Sequence, residues 1–413
     1  MSNTQKKNVP ELRFPGFEGE WEEKQLGEIS EQSMYGIGAS ATNFDSKNIY
    51  IRITDIDEKS RNLNYKNLTT PDEINDKYKL KRNDILFART GASTGKSYIH
   101  KEEKDNYNYY FAGFLIKFEI NQLNSPMFIY QFTLTSKFNN WVKVMSVRSG
   151  QPGINSEEYA KLPLVLPSKL EQQKIGEFFS KLDRQIELEE QKLELLQQQK
   201  KGYMQKIFSQ ELRFKDENGN DYPESLLYKL SEIGTFNTGI GFPESLQGGK
   251  EGIPFFKISD MNNKGNEIIM RNANNYVSNG IIESKKWKII TNVPSMIFAK
   301  VGAAIMLNRK RLVLEPFLID NNTMSYSFSQ EWNINFGRTL FQTIYLPKYA
   351  QVGALPSYNA KDIGLIKIEL PVKEEQKRIG DFFVWFEELI ERQILKLDLL
   401  KERKRAILQK MFI

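Results

Sequence analysis

The feature that most constrains the fold of this chain is an internal repeat, in which the second half has the same sequence pattern as the first. Leu166–Gln210 reads LPSKLEQQKIGEFFSKLDRQIELEEQKLELLQQQKKGYMQKIFSQ, and Leu370–Ile413 reads LPVKEEQKRIGDFFVWFEELIERQILKLDLLKERKRAILQKMFI. The two segments align without a gap at an offset of 204 residues and share the pattern LP…EQ…IG…FF. A repeat of this kind predicts two related structural units in one chain.

Each repeat also carries apolar residues at the spacing of a coiled-coil seam. Beyond the FF pair the apolar positions lie 3, 4 or 7 residues apart, which is typical of helices that wrap around a partner helix. Polar residues interrupt both series at matched positions, Glu189 with Gln393 and Lys200 with Lys404. We expect the two helices, each roughly 55 Å long at about 1.5 Å per residue, to pack on each other; the alternative is two separate surface helices, each on its own domain. The expected seam residues are Phe179, Leu182, Ile186, Leu193, Leu196, Tyr203, Ile207, Phe383, Phe386, Ile390, Leu397, Leu400, Ile407 and Met411.

The regions before the two helices repeat more loosely. YGIGAS at 35–40 matches TGIGFP at 238–243, and short β-branched and aromatic runs alternate with Gly, Asn and Asp turns in both halves. We therefore expect an α/β (α+β) fold class with two globular domains in pseudo-two-fold repeat, separated by two long helices packed as an antiparallel coiled coil. The expected segments are a globular domain at 1–165, a central helix at 166–210, a second globular domain at 211–367 and a C-terminal helix at 368–413.

Composition excludes several kinds of site. The chain has no cysteine and a single histidine, His100, so disulfides, thiolate catalysis and Cys/His metal sites are excluded, and we expect no metal and no catalytic residues. The net charge of +6 is not concentrated in a basic tail, so a polyanion would have to meet a local cluster of cations on a folded face. The chain lacks the apolar core of a signal peptide and any apolar run of membrane-spanning length, so we expect a cytoplasmic protein.

The stretch GASTGKS at 91–97 is similar to a phosphate-binding loop but does not have its spacing. That loop needs four residues between its glycines, whereas three residues separate Gly91 from Gly95. The second half keeps the preceding strand, in MIFAKVGA at 296–303, and loses the Gly-Lys-Ser element. A stand-alone nucleotide-binding enzyme therefore stays only as an alternative, and a coiled-coil scaffold is the other.

Both copies of this loop place cations around a glycine, which favours contact with nucleic-acid phosphates or base edges. The first half adds Arg148 and, in SGQPG, Gln151, whose amide could pair with adenine in a bidentate manner. For each residue the ordinary alternative is a solvated surface position. The candidate DNA-binding residues are Arg89, Thr94, Lys96, Ser97, Arg148 and Gln151 in the first half, and Lys300, Arg309, Lys310 and Arg311 in the second.

Two variable halves, each followed by a similar helix, resemble the specificity (S) subunit of type I restriction–modification systems. The residues that carry the resemblance are ELRFPGFEGEW at 11–21, LVLPSKLEQQKIGEFFSKLDRQI at 164–186 and IELPVKEEQKRIGDFF at 368–383. The resemblance implies that each globular domain is a target-recognition domain reading one half of a bipartite double-stranded DNA sequence. Physical reasoning places two such half-sites about one helical turn apart, roughly 34 Å.

The same resemblance implies the partners and cofactors of the complex. The helices would act as spacers and dock two modification subunits, which methylate adenine with S-adenosylmethionine. Restriction subunits would use ATP with magnesium. The chain itself would bind no cofactor and serve as the non-catalytic specificity subunit.

Overall fold

The computed structural model describes residues 8–101, 106–148, 150–351 and 355–413, and it divides into two compact units. Unit 1 comprises Met1–Gln191 with Leu395–Ile413, and unit 2 comprises Lys192–Ile394. Each unit therefore combines one globular domain with the first part of one long helix and the last part of the other.

The strands of unit 1 are β1 Glu22–Gln25, β2 Ser30–Tyr35, β3 Ala41–Asn43, β4 Asn48–Ile51, β5 Thr69–Pro71, β6 Ile85–Ala88, β7 Ser97–Ile99, β8 Asn108–Phe111, β9 Leu115–Ile120 and β10 Pro163–Leu166. A four-stranded antiparallel sheet of order β2-β9-β6-β7 carries the domain, with β4 paired in parallel to β8 and β1 paired antiparallel to β10. The helices are α1 Pro126–Phe132, α2 Ser136–Met145, α3 Ser156–Ala160 and the long α4 Lys169–Phe208.

Unit 2 repeats this architecture. Its strands are β11 Leu226–Lys229, β12 Gly234–Thr238, β13 Ile253–Phe256, β14 Tyr276–Val277, β15 Ser295–Ala299, β16 Lys310–Val313, β17 Leu318–Ile319, β18 Thr323–Phe328 and β19 Lys367–Leu370. The antiparallel sheet has the order β12-β18-β15-β16, β13 pairs in parallel with β17, and β11 pairs antiparallel with β19. The helices are α5 Asn279–Lys285, α6 Ile334–Thr343, α7 Ala360–Gly364 and the long α8 Lys373–Met411.

The long helices supply part of each domain core. In unit 1 the ring of Phe412, just after α8, lies 4.8 Å from that of Phe128 in α1 and 6.2 Å from that of Phe179 in α4. In unit 2 the ring of Phe208 lies 6.0 Å from that of Phe383. Because burying such rings removes large apolar areas from water, the helix ends are fixed to the domains rather than attached as loose arms.

The repeated EQ dipeptide begins each long helix with a buried ion pair. Glu171 is 1% exposed, and both of its oxygens accept from Arg13, each at 2.7 Å. Glu375 accepts from Arg213 in the same way, with the shorter contact at 2.6 Å. A buried carboxylate requires such a partner, which explains why the sequence ELRF occurs at both 11–14 and 211–214, with its arginine facing the helix start.

The glutamine of the dipeptide ties each long helix to the short helix in front of it. The Oε1 atom of Gln172 accepts from the backbone N–H of Ser125, the N-cap of α1, at 2.9 Å, and its Nε2 donates to the carbonyl of Pro167 at 3.0 Å. Gln376 makes the same two bonds to the N-cap of α6, at 2.8 Å, and to the proline before α8, at 2.9 Å.

Within each unit α4 and α8 pack in antiparallel fashion, so the predicted helix pairing is confirmed and the alternative of two separate helices is wrong. In unit 1 Lys404 pairs with Asp183 at 2.5 Å, and in unit 2 Lys200 pairs with Glu387 at 2.8 Å. These two ion pairs are the same contact of the repeat, since adding 204 to Lys200 and Asp183 gives Lys404 and Glu387. Every predicted seam residue except Tyr203 is buried or half-buried, and Tyr203 packs its ring against those of Phe382 and Phe386.

The α/β fold with two repeated domains is thus present. The helices α4 and α8 fall inside the segments 166–210 and 368–413, while the boundaries of the four segments stay a prediction. Over the described residues no helix combines the length and apolar character needed to cross a membrane.

Candidate nucleic-acid interface

Two loops of the first domain lie side by side beyond the end of β6. The backbone N–H of Gly91 donates to the carbonyl of Pro152 at 2.9 Å, and the N–H of Ile154 donates to the carbonyl of Arg89 at 2.9 Å. Gly91 has a φ of +74°, and a Cβ there would lie 2.9 Å from Nε2 of Gln151. The structure therefore brings the two segments that carry the predicted residues Arg89 and Gln151 together, with a glycine at the point of closest approach.

Arg89 lies in an aromatic setting that sequence reasoning missed. Its guanidinium carbon is 5.0 Å from the ring centroid of Tyr35 and 6.0 Å from that of Phe114. Phe114 occupies the turn between β8 and β9 and is 60% exposed. The only sequence signal for either ring is its position beside a glycine, in MYGIG and in AGF, where a turn displays its side chains.

Thr94 and Arg148 are accessible but engaged. The hydroxyl of Thr94 donates to the carbonyl of Gly91 at 2.7 Å. One terminal nitrogen of Arg148 contacts both carboxylate oxygens of Glu158, so its charge is largely neutralised within the domain.

Lys96 and Ser97 point into the interior. Lys96 is 7% exposed, and its Nζ pairs with Glu58 at 2.5 Å and donates to the carbonyl of Ile56 at 3.1 Å. The hydroxyl of Ser97 shares a 2.6 Å hydrogen bond with that of Thr133. Because neither side chain reaches the surface, we leave both out of the proposed interface. The same burial removes the lysine that a phosphate-binding loop would need, which argues against the nucleotide-binding alternative.

Lys310 in the second domain is also directed inward. It is the first residue of β16, is 1% exposed, and donates through Nζ to the carbonyl of Ile344 at 2.8 Å and to Oδ1 of Asn308 at 2.9 Å. Burial lowers the pKa of Lys310 to about 7. A lysine whose charge is penalised in this way is a poor DNA ligand, so Lys310 is left out as well.

The other three cations predicted for the second domain, Lys300, Arg309 and Arg311, are half-buried. Arg309 donates to the side-chain oxygen of Asn262, and Nε of Arg311 donates to the carbonyl of Asn266 at 2.7 Å. Burial, together with the charge of Arg309, lowers the pKa of Arg311. Lys300 precedes the loop that joins β15 to β16, the counterpart of the Arg89 loop.

The two loops are held by the same backbone bonds. In the second domain Gly302 N–H donates to the carbonyl of Pro356 at 2.8 Å, and Tyr358 N–H donates to the carbonyl of Lys300 at 3.2 Å. These bonds correspond to those made by Gly91 and Arg89, so a common scaffold presents different side chains in the two domains.

Neither a candidate metal site nor an exposed histidine occurs in the described residues. They contain no cluster of His, Asp or Glu that could hold a metal ion. His100 is buried, with its Nδ1 atom 3.2 Å from the hydroxyl of Tyr98 and its ring against that of Tyr109. This is the setting of a core histidine rather than of a general base in a cleft.

Comparison with known proteins adds a family and a fold. The sequence model described as "Type I restriction modification DNA specificity domain" matches residues 18–198 and again residues 224–398. The putative type I restriction enzyme MjaX specificity subunit of Methanocaldococcus jannaschii is 24% identical over 410 residues, covering 94% of this chain and 92% of that protein. The MjaVIII specificity subunit of the same organism is 22% identical over 355 residues, with 79% and 77% covered.

Two solved structures share the fold. The S subunit of a type I restriction–modification system from M. genitalium superposes with a TM-score of 0.58 at 15% identity, covering 98% of this chain and 99% of that one. A chain from a study of complex assembly and conformational transition of the type I R-M system also gives a TM-score of 0.58, at 16% identity and with 97% and 99% covered.

Proposed function

Because this chain belongs to the family of type I restriction–modification DNA specificity subunits, we propose that each of its two recognition domains reads one half of a split double-stranded DNA target. The chain is the specificity subunit of such a system. The observation that best supports the split reading is the pair of equivalent loops, since identical backbone bonds hold Arg89 and Gly91 in one domain and Lys300 and Gly302 in the other. Two domains that recognise different half-sites need the same loop scaffold with different side chains, and the two loops have this relation.

The segments 1–165 and 211–367 are the proposed recognition domains, and 166–210 with 368–413 are the proposed helical spacers. Affinity should come mainly from phosphate contacts and fall steeply with salt, whereas a few side chains in each domain read base edges. The side chains we assign to the interface are Arg89, Thr94, Arg148, Gln151, Lys300, Arg309 and Arg311.

The spacers are also the proposed docking sites for two modification subunits. Apolar side chains stand exposed on the long helices, Leu188, Leu395 and Leu399 in unit 1 and Leu195 and Trp385 in unit 2. Exposed apolar residues that recur along a helix favour a protein partner. In the complex, S-adenosylmethionine would act in the modification subunits and ATP with magnesium in restriction subunits, so this chain contributes recognition and no catalytic group.

The test is a map of methylated adenine, by long-read sequencing, in cells that carry this chain and its modification subunit. Cells with the modification subunit alone are the control. A new split motif with a fixed spacer supports the proposal and supplies both half-sites. A stable complex that adds no methylation would instead favour the coiled-coil scaffold.

A further inference from the structure

We propose that Arg89 reads a guanine in the half-site of the first recognition domain, and that Tyr35 and Phe114 hold its guanidinium in the reading position. The inference rests on the proposed function, because it names the base that one of the two readers selects. It concerns the first domain alone.

The guanidinium of Arg89 is positioned but not neutralised. The rings of Tyr35 and Phe114 lie 5.0 and 6.0 Å from its central carbon, and no carboxylate pairs with it in the part of the chain that the structure describes. Its side chain is half-buried, its Nε is buried without a hydrogen-bond partner, and its terminal nitrogens donate to no described group. The donors of the fork are therefore left for a ligand, since no described group of the domain accepts from them.

Tyr35 is itself fixed, which makes the aromatic support rigid. Its hydroxyl accepts from the backbone N–H of Ser156, the first residue of α3, at 3.1 Å. The carbonyl of Phe114 accepts from the backbone N–H of Arg89 at 3.1 Å, so the turn that carries the second ring is tied to the arginine. A guanidinium held in this way loses little side-chain freedom when it binds.

The other predicted cations of the first domain cannot offer the same fork. Arg148 is paired with Glu158, and Lys96 is buried against Glu58. Two parallel N–H donors match the O6 and N7 acceptors on the major-groove edge of guanine, whereas adenine presents a donor at N6. A guanidinium that is held in place by two rings and has no hydrogen-bond partner among the described residues therefore selects guanine.

The second domain lacks the aromatic support at the equivalent place. The backbone N–H of Lys300 donates to the carbonyl of Asn322 at 2.9 Å, as that of Arg89 does to Phe114. The alignment of TGIG with YGIG puts Thr238 where the first domain has its tyrosine. Lys300 has no planar fork, and neither Thr238 nor Asn322 supplies an aromatic ring, so the two half-sites are read by different chemistry.

The first experiment maps methylated adenine for complexes that carry Arg89→Lys or Arg89→Ala. We expect one G·C position of one half-site to become degenerate, while the other half-site and the spacer stay unchanged. The matched control is Lys81→Ala, an exposed cation before β6, at the opposite end of that strand from Arg89, which should leave the whole motif intact. An unchanged motif in the Arg89→Ala complex would overturn the inference.

A second experiment has a wild-type arm, which does not depend on how well the variants assemble. Duplexes carry 7-deazaguanine, which lacks the N7 acceptor, in place of each guanine of the first half-site in turn. The wild-type complex should lose about tenfold or more in affinity at one guanine, and the Arg89→Ala complex should be insensitive there. Wild-type binding that tolerates every replacement, or a first half-site without guanine on either strand, would refute the assignment. A wild-type complex that yields no split motif at all would instead contradict the proposed function.

Discussion

Arg89 and Lys96 stand seven residues apart on one loop, yet one reaches solvent and the other lies inside the domain. The strand that follows decides this difference. Lys96 immediately precedes β7 and turns toward the carbonyls of Ile53 and Ile56, whereas Arg89 directly follows β6 and packs against the rings of Tyr35 and Phe114. The two residues carry the same charge, but Arg89 is a candidate DNA ligand whereas Lys96 is part of the domain interior.

Lys96→Met should separate these roles. The substitution leaves the carbonyl of Ile56 without its donor, so we expect the first domain to lose about 1–3 kcal/mol of stability while the methylated motif stays the same. Thermal unfolding and adenine mapping of the same variant measure both effects. A changed motif with unaltered stability would return Lys96 to the interface.

Lys310 gives a prediction about pH. Its folded-state pKa is about 7, below the ordinary value of 10.5, so between these values the unfolded chain binds a proton that the folded chain does not. Stability contributed by this residue should therefore rise with pH across that window, by at most about 1.4 kcal/mol per pH unit.

The measurement compares urea unfolding of the wild-type chain with that of Lys310→Met at pH 7.5 and 9.5. The wild type should gain stability over this interval relative to the variant, because all other titrating groups are common to both. Parallel pH dependences would show that Lys310 stays charged in the folded state.

At the scale of elements, the IG glycine of the repeat sets how closely each short helix approaches its long helix. A Cβ on Gly176 would lie 3.0 Å from the Cβ of Met127, and a Cβ on Gly380 would lie 2.7 Å from the backbone nitrogen of Phe336. Nothing lies within 4 Å of the corresponding point on Gly202, in the same helix as Gly176.

Three alanine substitutions should therefore give three different results. Gly202→Ala should stabilise α4 by about 0.5–1 kcal/mol because alanine is the better helix former. Gly176→Ala should destabilise, and Gly380→Ala should destabilise more, because backbone cannot move aside as a side chain can. Chemical denaturation of the three variants checks the order. An equal gain from all three would mean that the helices are not closely packed at these glycines.

The sequence allowed the long helices and their pairing to be predicted because a period of 3.5 residues is a local signal, repeated at an offset of 204. The pairing of Arg13 with Glu171 joins residues 158 apart, which no local pattern encodes. The burial of Lys96 and Lys310 depends on strand direction and on a loop from elsewhere in the chain. Phe114 was missed because a single aromatic residue in a turn has no periodicity.

At the scale of the whole molecule, the C-terminal parts of α4 and α8 carry matching apolar and charged residues at equivalent positions. Ile207 and Phe208 correspond to Met411 and Phe412, and Lys200 corresponds to Lys404. In unit 1 the residues from α8 cover the first domain, and in unit 2 the matching residues from α4 cover the second. A chain that lost its second half would thus still possess a helix end suited to cover the first domain.

A fragment that ends at Gln210 should therefore dimerise. Each copy exposes the core surface around Phe179 that α8 normally covers, and it carries Phe208 to fill the same surface on the second copy. Lys200 would then meet Asp183 of the second copy in place of Lys404. Light scattering should give twice the monomer mass.

The control is a pair of charge reversals on α4 of this fragment. Lys200→Glu, which places a like charge against Asp183 of the second copy, should weaken the dimer, whereas Lys201→Glu at the neighbouring exposed position should not. A monomeric, folded fragment would show that the helix ends are specific to their own domains despite the repeat.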